Sequence, residues 1–96
     1  MVQRIRVCDE VVEHTDEIAL LKIDAEGADT WAIMGCERLL RTRRINQIWF
    51  EQNKPRMRSL GIGEGDAEKF LQSVGYKSYP ESDPSGDVVE WTAFPA

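Results

Sequence analysis

The segment Ile18-Ala-Leu-Leu-Lys-Ile-Asp24 constrains the fold of this chain more than any other stretch. It is a near-continuous apolar run of strand length, the pattern of a parallel strand buried on both faces. Gly27 ends the run. A helix is predicted next, from about Ala28 to Arg41, because Ala32, Ile33, Cys36, Leu39 and Leu40 recur at helical spacing and would face a sheet. Asp29 lies in its first turn, where a negative charge suits the helix dipole. A buried strand feeding a helix implies a parallel sheet with right-handed crossovers.

The rest of the chain continues that plan. Ile45 to Glu51 reads as a second strand centred on Ile48, Trp49 and Phe50. Residues 52–65 carry Pro55 and three glycines and read as a long polar loop. A second helix is expected from about Asp66 to Val74, with Asp66 as its N-cap, Phe70, Leu71 and Val74 as its buried stripe and Gly75 as its stop. Tyr76 to Tyr79 is a short strand, residues 81–87 a turn-rich connection, and Val88 to Phe94 a final strand antiparallel to the one before it. Residues 4–7 alternate and suggest a short leading strand, and residues 9–17 read as an acidic connection. The order is β-α-β-α-β-β in an α/β domain.

With 96 residues and a net charge of −5, the chain is one small unit with an acidic balance. That balance argues against general nucleic-acid binding. Seven of the twelve Lys/Arg lie between Arg38 and Arg58, but no aromatic residues interleave with the arginines. Arg38, Arg41, Arg43 and Arg44 instead suit the C-terminal end of the first helix. No run approaches the ~20 apolar residues of a membrane span, and no export signal is visible, so a cytoplasmic location is expected. Cys8 and Cys36 fit no zinc spacing and read as two buried thiols. His14 reads as a solvated loop residue, and no metal site is expected.

Ligands of open α/β sheets bind outside the carboxyl ends of the parallel strands. Both parallel strands here end in acids: Asp24, with Glu26 two residues on, and Glu51. Neighbouring strands lie ~4.8 Å apart, so Asp24 and Glu51 are expected on one rim. Carboxylates so placed can raise one another's pKa, bind a divalent cation or hold a substrate hydroxyl. Gly27 and Ala28 open the helix, so free backbone N–H groups are expected to face the same rim. On residue types alone, helix capping and dipole compensation by Asp24 and Glu26 is the favoured alternative. Gly61-Ile-Gly63-Glu-Gly65 looks like a cofactor loop but follows no buried strand. It reads as a flexible helix entry, with a mobile cover over the rim as its functional alternative.

Leu20-Leu-Lys-Ile-Asp-Ala-Glu-Gly-Ala-Asp29 closely resembles the hallmark segment of the FkbM-type methyltransferase family, which typically reads LLKIDVEGAE. Ala25 stands for the usual valine and Asp29 for the usual glutamate. Gly35-Cys36 and Leu39-Leu40 stand where the family has its G-A…LL pattern. Ile45 to Glu51 matches a family strand ending in glutamate, Val74-Gly75-Tyr76 a helix end followed by Gly-Tyr, and Val7-Cys-Asp9 the leucine-aspartate step upstream. The resemblance implies a partial Rossmann-like class I methyltransferase sheet, with strands 4-5-7-6 and two helices. Residues 1–96 would then form the C-terminal half of the domain, the first half with its glycine-rich cofactor loop being absent. The resemblance also implies S-adenosylmethionine as cofactor, a small-molecule hydroxyl on a sugar or metabolite as acceptor, Asp24, Glu26 and Glu51 as catalytic rim residues, and Gly27 beside the cofactor.

Two expectations of different class follow. As an enzyme, the chain is an O-methyltransferase whose isolated form binds S-adenosylmethionine weakly or not at all and is inactive alone. As a non-catalytic module, it is a truncated half-domain that self-associates or takes a partner chain through the exposed edge of strand 18–24.

Overall fold

Burial alternates through the second strand because one of its faces lies against the core and the other does not. In the computed structural model, which describes residues 18–96, this strand is Ile48–Asn53, with Ile48, Phe50 and Gln52 buried and Trp49, Glu51 and Asn53 half-buried. The elements in chain order are β1 (Leu21–Lys22), α1 (Asp29–Met34), α2 (Glu37–Arg41), β2 (Ile48–Asn53), α3 (Lys54–Leu60), α4 (Asp66–Ser73), β3 (Tyr76–Pro80) and β4 (Val88–Pro95). They form one four-stranded sheet of order β1-β2-β4-β3. This is the expected 4-5-7-6 order. β1 runs parallel to β2, and β4 runs antiparallel to both β2 and β3. The expected leading strand at 4–7, the connection 9–17, the Val7-Cys-Asp9 step and His14 lie outside the described residues.

The core sits on one face of the sheet. Ile48, Phe50 and Ala93 of the strands meet Ala32, Ile33, Leu39, Leu40, Ala67 and Leu71 of the helices. Phe50 is fully buried and stacks on Trp91, ring centroids 6.3 Å apart and planes 11° from parallel. Tyr76 reaches back under the sheet and donates its hydroxyl hydrogen to the Ile45 carbonyl. Burial raises the Tyr76 pKa, and the charge of Arg43 opposes that rise.

Four local expectations change. The single helix from Ala28 to Arg41 is two helices. The bonding shifts at Cys36, whose N–H donates three residues back to the Ile33 carbonyl and ends α1 in a tight turn. The loop 52–65 contains α3, which Asn53 caps by accepting the Arg56 N–H at 3.2 Å and which carries Pro55 in its first turn. Gly65, not Asp66, is the N-cap of α4, and Asp66 accepts the Gly63 N–H at 2.9 Å from the first helical position. Cys36 is buried and disulfide-bonded rather than a thiol, while Cys8 lies outside the described residues.

The 18–24 run is not buried on both faces. Ile23 is buried and Leu21 half-buried on the core side, but Leu20 is 53% exposed and Lys22 and Asp24 are exposed. Among the described residues no helix packs on that second face, so the apolar run has only one side to bury. No helix of the described residues is long and apolar enough to cross a membrane.

Replacing Phe50 with alanine removes a buried ring and its stacking on Trp91. The expected cost is about 3–5 kcal/mol, read as a lower urea midpoint by tryptophan fluorescence. A loss below about 1 kcal/mol would place the core elsewhere.

Candidate functional site

The carboxyl ends of β1 and β2 form the rim. The pairing Leu21↔Ile48 and Lys22↔Trp49, continued by two residues, brings Asp24 level with Glu51. The paired register itself ends at Lys22↔Trp49, two residues short of these acids. Asp24 and Glu26 are exposed and Glu51 is half-buried. Neither Asp24 nor Glu26 caps α1, whose N-cap is Ala28 without a side-chain bond. Among the described residues, no group of three or more His, Cys, Asp or Glu is arranged to hold a metal ion.

Between the strand end and α1 the chain turns sharply. Glu26 has φ 49° and Gly27 φ 97°, and the Ala28 N–H closes the turn on the Ala25 carbonyl at 3.0 Å. A side chain at Gly27 would meet α3, since a Cβ there would lie 2.4 Å from Arg56 Cβ. Gly27 is buried under this contact. Its residue type thus follows from backbone sign and close packing together. Gly61, by contrast, has φ 76° as the C-cap of α3, with open space around it. The Gly61–Gly65 segment is anchored at its second residue, because Ile62 is buried and its N–H donates to the Met57 carbonyl at 2.9 Å.

The residue that sequence reasoning undervalued is Asp29. It was expected as a dipole partner in the first turn of a helix. It is 2% exposed, and its carboxylate accepts two backbone N–H groups, Ala25 at Oδ1 and Glu51 at Oδ2, each at 2.8 Å. Burial lifts its pKa above the ordinary 3.8; the Glu51 and Ala25 N–H groups oppose that rise, and the charges of Glu51 and Asp24 add to it. The signal available in the sequence was an acid five residues beyond a strand-terminal acid, which does not distinguish a buried acceptor from an exposed helix-turn acid.

The family model described as Methyltransferase FkbM domain matches residues 2–78 of the chain. No curated protein and no solved structure matches it.

Two outcomes follow from this geometry. Gly27→Ala is expected to destabilise clearly more than Gly61→Ala, which meets only the backbone penalty of about 1 kcal/mol. Equal urea midpoints for the two variants would contradict the Arg56 contact. Asp29 gives a pH signature. Its folded pKa is raised, so its contribution is fully present below the ordinary 3.8 and is lost as pH rises through the raised value. The stability of the wild type relative to Asp29→Asn should therefore fall with rising pH in that window. A difference that is flat or grows with pH, in paired urea titrations, would contradict it.

Proposed function

Since the chain belongs to the FkbM methyltransferase domain family, we propose that its rim serves methyl transfer from S-adenosylmethionine to a hydroxyl of a sugar or small metabolite. One observation supports the reading: the β1–β2 pairing, extended two residues past Lys22↔Trp49 toward the carboxyl ends of the parallel strands, would level Asp24 with Glu51. In this reading Asp24 orients the acceptor hydroxyl and takes its proton, and Glu51 supports that carboxylate across the rim. Glu26 lines the same edge. Alignment of the nucleophile and mild base assistance are what such a transfer asks of the protein.

S-adenosylmethionine supplies an electrophilic methyl on a sulfonium. Gly27, the residue read as lying beside the cofactor, keeps the turn at the rim free of a side chain. Residues 1–96 are read as the C-terminal half of such a domain, a reading supported by the sheet order β1-β2-β4-β3.

With a cofactor-loop half of the domain supplied in trans, labelled S-adenosylmethionine and a panel of sugars and hydroxylated metabolites, transfer to oxygen should fall about 10²-fold or more in Asp24→Asn. Transfer that is undiminished in this variant would remove Asp24 from the role. By calorimetry the chain alone is expected to bind S-adenosylmethionine more weakly than submillimolar.

The alternative, a non-catalytic module that recruits a partner along residues 18–24, is favoured by one specific feature. Among the described residues β1 stands at the end of the sheet order, and Leu20 beside it is 53% exposed. Self-association at tens of micromolar in sedimentation would support this alternative, and a clean monomer would count against it.

A further inference from the structure

The parallel pairing of β1 with β2 stops at Lys22↔Trp49, although the strands continue side by side. The Ile23 N–H still donates to the Trp49 carbonyl at 2.8 Å. In a regular parallel ladder the next two donors would be the Glu51 N–H, to the Ile23 carbonyl, and the Ala25 N–H, to the Glu51 carbonyl. Both of these donors point instead at the Asp29 carboxylate. One side chain has taken the place of the next rung.

We infer that Asp29 is a positioning residue of the rim: by occupying that rung, its carboxylate keeps the ends of β1 and β2 from zipping together and sets the gap across which Asp24 and Glu51 face each other. A carboxylate places two acceptors on one carbon, so the two strands cannot close on each other while both bonds stand. Ionised, it accepts both N–H groups. An asparagine accepts with its oxygen only and turns its amide hydrogens toward the second donor. The role of a helix-dipole partner needs neither bond to a strand, and none at all to Glu51, 22 residues away.

The functional weight of this gap rests on the proposed methyl transfer, whereas the gap itself can be tested without cofactor or acceptor. Failure of one is therefore distinguishable from failure of the other. The charged groups acting on Asp29 are Glu51, within β2, and Asp24, two residues past β1.

The experiment is a pH titration of the full 96-residue chain followed by amide nitrogen–proton spectra. The Ala25 and Glu51 amides should shift together, with one shared midpoint above 3.8. Asp29→Asn should abolish that shared excursion. Asp66→Asn replaces a comparable carboxylate, the acceptor of the Gly63 N–H, and should leave the excursion in place. In Asp29→Ala the vacant rung should close, giving a new through-hydrogen-bond coupling from the Glu51 amide to the Ile23 carbonyl. Separate midpoints in the wild type, or an excursion that survives Asp29→Asn, would overturn the inference. So would a folded Asp29→Ala chain without the new coupling. If Asp29→Ala fails to fold, the wild-type and Asp66→Asn titrations still decide.

Discussion

The region around the rim depends on one buried carboxylate. Taking Asp29 out of water is unfavourable, and two charge-assisted bonds from backbone N–H groups offset that cost. The bonds tie together the end of β1, the start of α1 and the far end of β2. The turn at Glu26 and Gly27 brings Asp29 back over the strand ends, and Arg56 of α3 packs against that turn. Four elements thus meet around a side chain whose own helix has six residues. So short a helix has little stability of its own and is held by its packing.

Much of the architecture was legible because it follows from periodicity. A short apolar centre at Ile48, Trp49 and Phe50 marked β2, alternation marked β4, and the recurrence of Ala32, Ile33, Leu39 and Leu40 marked the helical stretch that covers the core face. α3 was not legible. Its one fully buried residue is Met57, too little for a periodic signal, and Pro55 read as a loop marker although it sits in a first turn where proline is tolerated. The 18–24 run misled in another way. Apolar residues on both faces of a strand state what could be buried, not what lies opposite, and Leu20 has no helix across from it among the described residues.

The rim shows the same division. That two strands end in acids was plain in the sequence, and so was the FkbM pattern that includes one of them. Which acid would be solvated was not. Asp24, Glu26 and Asp29 lie within six residues of one another, with similar chemistry and opposite surroundings. A preference for capping by Asp24 or Glu26 was reasonable from residue type, yet α1 begins at Ala28 without a side-chain cap.

By itself, the sequence determined the order of the strands, the family and the presence of carboxylates toward the ends of both parallel strands, because each is written in local pattern. The tertiary structure decided that Asp29 is the carboxylate drawn inside, and that it bonds to the strand ends in place of direct pairing. The reason is physical: desolvation and hydrogen-bond partners come from segments distant in the chain. The N–H that Asp29 accepts from Glu51 exists for it only once β2 has come alongside β1.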